Sequence, residues 1–204
     1  MNEGKTIALY GGTFSPPHIG HVRAAEAFVR AVSPDRLLIV PSAIPPHKAP
    51  VLGADDEERL AMCRLAFSSV PSAEVSDIEI LRRGKSYTVE TLRTLAEPTV
   101  RLALLVGTDM FLSLDTWYSF RELFSLAEIA YVQRETDAKT AEILAEKEKF
   151  YVERYGARIR ALSTDVTEIS STELRRRIAS DEPLGGYLLP EVEAYIKARG
   201  LYRV

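Results

Sequence analysis

A single cysteine, Cys63, in 204 residues excludes a framework of internal disulfides, and its setting among Leu60, Met62, Leu65 and Phe67 is that of a small buried hydrophobe. No apolar run approaches the length needed to span a membrane. Basic residues are not in excess. The 26 Lys and Arg stand against 29 Asp and Glu, a net charge of −3, so a surface that grips nucleic acid is not expected. Any anion site has to be local. Met1 to Lys5 carry no signal-peptide core, and a cytoplasmic protein without membrane association is the expectation. Repeats and low-complexity tracts are absent. With 46% hydrophobic residues, the length suits a single domain over residues 1–204 with one full core.

What is present is an alternation of strand-like and helical segments. Thr6 to Tyr10 is a short apolar run stopped by Gly11-Gly12, as a buried parallel strand ends in a tight loop. Apolar residues at Val22, Ala25, Val29 and Val32 recur at helical spacing until Ser33-Pro34. Arg36 to Val40 is a second strand, followed by a proline-rich loop from Pro41 to Gly53. Asp55 and Glu58 form a capping arrangement for the next helix. The pattern predicts a third strand over Glu74 to Ile80, a helix from Thr88 to Ala96, and a fourth strand from Val100 to Val106 running into Gly107-Thr108-Asp109. Short helical pieces lead past Trp117 and Phe124 to a fifth strand, Ile129 to Val132. A charged helix to Tyr155, a strand from Arg158 to Leu162 and two helices, Leu174 to Ala179 and Pro190 to Arg199, complete the chain. This order predicts a doubly wound parallel α/β sheet, a Rossmann-like fold with a small C-terminal helical part. Its ligand crevice would lie beyond the carboxyl ends of the strands, where Gly11-Gly12 and Gly107-Thr108-Asp109 sit.

The segment from Gly11 to His21 carries the sharpest chemistry. Two glycines let the backbone approach a ligand, and His18 and His21, three apart at a helix start, can project from one side of its first turn. With the helix N-terminus they make an anion site. A zinc pair is the rival reading, but no third ligand has suitable spacing, so no metal ligands are assigned. A second cationic element is Ser170-Ser171-Thr172 with Arg175, where a hydroxyl-rich helix start offers donors to phosphate and Arg175 follows on the same face. Ordinary capping by Ser170 is its structural alternative. Lys48 supplies a mobile charge on the proline-rich loop.

The motif His18-Ile19-Gly20-His21 is shared with class I aminoacyl-tRNA synthetases, but those need more chain and a lysine-rich second motif that is absent here. The ordered set Gly11 to His21, Pro45-Pro46-His47-Lys48, Ser86 to Leu92, Gly107-Thr108-Asp109, Trp117 and Ile169 to Arg175 instead resembles the bacterial nicotinate-nucleotide adenylyltransferases over nearly the whole length. Phosphopantetheine adenylyltransferase, a shorter relative, usually carries Thr at the place of His18. The resemblance implies transfer of AMP from ATP, with Mg²⁺, to nicotinate mononucleotide. It assigns ATP to Gly11, Gly12, Thr13, Phe14, His18, His21, Ser170, Ser171, Thr172 and Arg175, with His18 and His21 catalytic. The mononucleotide falls to Lys48, Thr88, Gly107, Asp109, Trp117, Tyr118 and Arg134. Asp109 suits a ribose hydroxyl better than a base role, since a carboxylate accepts such bonds. Ser15, where the family commonly has Asp or Asn, and Glu135, where Pro-Gly usually follows the residue matching Arg134, depart from the pattern.

Other readings stay open at this point: an adenylyl- or cytidylyltransferase for nicotinamide mononucleotide, phosphopantetheine or another acceptor, a non-catalytic nucleotide-binding regulator, and, least supported, an RNA-binding module. A homo-oligomer is compatible with the sequence.

Overall fold

The computed structural model describes residues 4–44, 53–133, 138–164 and 169–203. Lys48 and Arg134, both assigned to the mononucleotide, lie outside them. Strands β1 (Thr6–Gly12), β2 (Arg36–Pro41), β3 (Ala73–Val75), β4 (Arg101–Val106), β5 (Ala127–Gln133) and β6 (Ile159–Ser163) form one parallel sheet in the order β3-β2-β1-β4-β5-β6. The order reverses between β1 and β4. A crevice opens at such a switch point, because the chain leaves β1 toward one face of the sheet and β4 toward the other.

The period-two geometry of the strands sorts their side chains between two cores. Ala8, Tyr10, Leu37, Ile39, Ala103 and Leu105 face one, while Leu9, Leu38, Val40, Leu104 and Val106 face the other. Leu9 sits in register with Leu38 and Leu104. A strand buried on both faces reads as a continuous apolar run, which is what β1, β2 and β4 are. The first core is covered by α1 (Ile19–Val32), α2 (Asp56–Ala66) and the C-terminal α8 (Ser171–Ala179) and α9 (Pro190–Arg199). Beneath the second lie α4 (Thr88–Leu95), α5 (Thr108–Leu112), a 3₁₀ turn (Leu114–Thr116), α6 (Phe120–Leu126) and α7 (Ala138–Tyr155). No helix among the described residues is long and apolar enough to cross a membrane.

The expected third strand is corrected. Only Ala73–Val75 pair, with Leu37 to Ile39 of β2, and Ile78–Arg82 fold instead as a short helix, α3. Ile78 and Ile80 mimic a β alternation. What decides is Glu79, which is 5% exposed and accepts a hydrogen bond from Thr91 of α4 at 2.8 Å. A strand would have to bury that carboxyl without this partner. The capping box at Asp55 and Glu58 is present in both directions, and Cys63 is fully buried.

Candidate active site

Beyond Gly12 the chain turns through Thr13, Phe14 and Ser15 before α1. Phe14 takes a left-handed backbone (φ 47°) although it is not glycine, at a cost of roughly 1–2 kcal/mol. Its ring is 2% exposed and meets Tyr10 and Phe67 edge-on, and full burial of a Phe side chain contributes about 1.5–3 kcal/mol. The aromatic anchor therefore offsets the turn. It also explains Gly12, where a Cβ would stand 3.0 Å from the Phe14 ring.

The turn is held from outside by side chains distant in sequence. Arg59 of α2 donates to the Thr13 carbonyl at 3.0 Å, Arg175 of α8 to the Ser15 carbonyl at 2.7 Å, and the Ser171 hydroxyl to the Pro16 carbonyl at 2.9 Å. Ser15, at the departing position, is 1% exposed, and its hydroxyl pairs with that of Tyr202 at 2.9 Å. Burial pushes the Tyr202 phenol up to about 12, against the lowering effect of the Ser15 bond and of Arg175 and Arg59, so it remains a neutral hydroxyl. Its backbone N–H reaches the Gly53 carbonyl.

His18 caps α1 with extended backbone, and its N–H donates to His21 Nδ1 at 3.1 Å. The two rings lie 3.7 Å apart between centroids, and the Phe14 ring meets His21 edge-on. A ring nitrogen that accepts carries no proton, so the neutral His21 imidazole has its proton on Nε2. No acidic residue stands in the first turn of α1, which leaves the positive end of its dipole for an anion.

At the start of α8, Ser170 accepts from the Glu173 N–H at 3.1 Å, so capping is real. With its one proton given to Pro16, Ser171 can serve an anion through its backbone N–H. Thr172 accepts from Arg175 at 3.1 Å and keeps its own proton to donate. Arg176 and Arg177 pair with Glu173, and Arg176 also with Glu182.

Two clefts adjoin at the strand ends. The larger, about 1690 Å³ and open to solvent, is lined by Phe14, His18, His21, Asp109, Ser170–Thr172 and Arg175. Asp109 thus sits on the histidine side, not the aromatic side. The smaller, about 870 Å³, is lined by Ser86, Thr88, Trp117, Tyr118 and Glu79. Gly11, Gly12, Thr13, Gly107 and Met110 line both and form a common wall. The first residue of α4 is Thr88, which lines the smaller cleft together with Tyr87 before it. Tyr118 is 53% exposed, and its ring is 4.6 Å from that of Tyr87.

Three residues of this architecture carry no sequence signal as site residues: Glu79, Arg59 and Tyr202. Burial raises the Glu79 carboxyl above its ordinary range, opposed by hydrogen bonds from Thr91 and Ser86 and by the Arg82 guanidinium 3.8 Å away. The Ser86 hydroxyl oxygen in turn accepts from the Ala43 N–H at 2.9 Å. Among the described residues no three His, Cys, Asp or Glu side chains cluster as metal ligands.

A dinucleotide-type sheet with a histidine-bearing turn at the end of β1 and a phosphate-suited helix start at α8 defines the nucleotidyltransferases, and the chain belongs to the cytidylyltransferase-like family, whose model matches residues 9–177. Within that class it is a member of the nicotinate-nucleotide adenylyltransferases. It is 35% identical to a curated protein of Desulfatibacillum aliphaticivorans over 96% of this chain and 99% of the relative. To one of Laribacter hongkongensis it is 38% identical over 97% and 94%. Both are named "Probable nicotinate-nucleotide adenylyltransferase". The same fold is found in a nicotinic acid mononucleotide adenylyltransferase from Plasmodium falciparum complexed with NaAD, at a TM-score of 0.75 and 16% identity, covering 97% of each chain.

Proposed function

We propose that this enzyme transfers AMP from ATP to nicotinate mononucleotide, giving nicotinate adenine dinucleotide and pyrophosphate. The observation that carries this reading is the common wall: a cationic, hydroxyl-rich cleft and an aromatic cleft meet at Gly11–Thr13 and Gly107, where an α-phosphate and an acceptor phosphate can face each other. The relatives' names supply the acceptor class.

The acceptor phosphate is already an anion at neutral pH, so no strong base is required. Its oxygen forms a bond to the α-phosphorus as the bond to the β-phosphate bridge breaks, and pyrophosphate leaves with the electron pair. Alignment and charge neutralisation are the main tasks. His21 Nε2–H stabilises the α-phosphate in the transition state, and His18 faces the triphosphate. The α8 start, Thr172 and Arg175 hold the β- and γ-phosphates, with the Ser171 hydroxyl fixing the turn. Asp109 accepts from a ribose hydroxyl. Trp117 and Tyr118 take the pyridine ring, and the Thr88 turn offers N–H donors to its carboxylate. Lys48 and Arg134 are assigned to the mononucleotide, Lys48 to its phosphate. Mg²⁺ enters on the triphosphate as part of the substrate and spreads its charge.

The test is incubation with ATP or CTP and each of nicotinate mononucleotide, nicotinamide mononucleotide and phosphopantetheine, with pyrophosphate and dinucleotide measured. The expected pair is ATP with nicotinate mononucleotide. Nucleotide binding without turnover on any acceptor would make the protein a regulator instead.

A further inference from the structure

Arg59 is 5% exposed yet lines neither cleft. Its guanidinium pairs with Asp56, one helical turn away at 2.5 Å, and Asp56 is half exposed. That pair alone needs no burial, since an i,i+3 ion pair forms equally well at a helix surface and is worth only about 0.2–1 kcal/mol there. Taking a guanidinium out of water carries a desolvation penalty. What the buried position adds is reach: the other nitrogen, Nη1, donates to the Thr13 carbonyl behind the nucleotide turn.

The Thr13–Phe14 peptide is trans, Ser15-Pro16 being the one cis bond among the described residues. In a trans peptide the carbonyl and the following N–H point in opposite directions. With the Thr13 carbonyl directed at Arg59, the Phe14 N–H points away from it, and Thr13 and Phe14 line the larger cleft, which Arg59 does not. That N–H makes no hydrogen bond within the described residues. The left-handed backbone and buried ring of Phe14 fix the next link of the chain, so the peptide is pinned from both ends.

We propose that Arg59 is a positioning residue for phosphoryl binding: by holding the Thr13 carbonyl it aims the Phe14 N–H at the ATP phosphates. The inference rests on the larger cleft being the ATP site. Its role is indirect, for the guanidinium touches no substrate and acts through the orientation of one peptide plane. Asp56 balances the charge and keeps the planar fork in place, which lysine, a single flexible point charge, cannot reproduce at both acceptors.

The experiment follows the Phe14 amide by ¹H–¹⁵N spectroscopy while ATP is added without any acceptor, in wild type, Arg59→Met and Arg59→Lys. The wild-type Phe14 amide is expected to move downfield on saturation, by more than the amides of α9. In Arg59→Met that response falls by half or more, with Arg59→Lys intermediate and standing in should Arg59→Met not fold. Steady-state rates per folded enzyme then drop by roughly tenfold in Arg59→Met, less than the loss on deleting a preorganised donor, with the KM for mononucleotide within twofold of wild type. A merely structural residue would lower the folded fraction and leave the Phe14 response intact. A Phe14 amide unmoved by saturating ATP in wild type, or moved equally in the folded variants, overturns the inference. The binding arm needs no turnover, so failure of the adenylyl-transfer reading shows separately as wild type without product from any acceptor.

Discussion

The two clefts share a wall but are built differently. The histidine cleft draws its chemistry from the ends of two helices and a strained turn: His18 and His21 open α1, Ser171 and Thr172 open α8, and the turn between β1 and α1 is clamped by Arg59, Arg175 and Ser171. The aromatic cleft draws on α3, α4 and the region after the 3₁₀ turn, and its polar groups, Glu79 and Ser86, are spent largely on one another and on Thr91 and Ala43. The difference teaches a division of labour. Fixed donors aimed at phosphate stabilise charge that develops during reaction, whereas a stacked ring is held equally in ground and transition states.

The largest test of that division is His21→Ala. Loss of one preorganised donor costs roughly 2.7–4 kcal/mol in the transition state, so kcat should fall by about 10²-fold or more while ATP affinity stays within a few-fold. Equal losses in binding and turnover would put His21 in ground-state binding and erase the contrast. Next comes the choice of ring. With the ring placed as proposed, against the Thr88 turn, and with the oxygens of Glu79 engaged by Thr91, Ser86 and Arg82, a carboxylate is served and an amide NH₂ is left unpaired. That costs about 1–3 kcal/mol, or roughly 5- to 150-fold in kcat/KM favouring nicotinate over nicotinamide mononucleotide. A ratio near one would remove the ring from the Thr88 turn. Trp117→Ala should raise the mononucleotide KM by about tenfold, on the order of one stacking contact, and leave kcat within threefold. A kcat loss matching that of His21→Ala would mean that the clefts are not separable.

The smallest effect concerns pH. Burial raises the Glu79 carboxyl in the folded state, so the folded protein binds that proton more tightly than the unfolded chain does. Its contribution is present below the ordinary carboxylate range and is lost as pH rises through the folded value. Glu79→Gln removes this titration. The variant-minus-wild-type difference in Tm should therefore become more positive on going from acid to neutral pH. Melting curves at matched ionic strength decide it, and a flat or falling difference would show that the buried carboxyl is not under this strain.

The histidine cleft was legible in the sequence because its residues are contiguous: glycines, histidines and a helix start within Gly11 to His21, then hydroxyls and Arg175 within six residues. Helix periodicity and the apolar runs of β1, β2 and β4 were legible for the same reason, since local patterns follow local geometry. What was illegible depends on contacts far apart in the chain. Ile78 and Ile80 read as a strand until Thr91 claims Glu79 for a helix. Arg59 reads as one charge in an acidic helix start, and Tyr202 as a terminal aromatic, although each reaches a different atom of the turn at Thr13 to Ser15. No spacing rule links positions 46 or 187 residues apart. The aromatic cleft lies between these cases: Trp117 and Tyr118, proposed for the ring, were suggested by family resemblance, while its buried carboxyl was not.

The central claim is that both substrates sit side by side across the common wall and react directly. It is tested by the stereochemistry at the α-phosphorus, using ATP carrying a chiral phosphorothioate at that position. A single in-line displacement predicts inversion of configuration in the dinucleotide. Retention would require two displacements, with AMP passing first to a group on the protein such as His18 or His21, and would contradict direct transfer between the clefts.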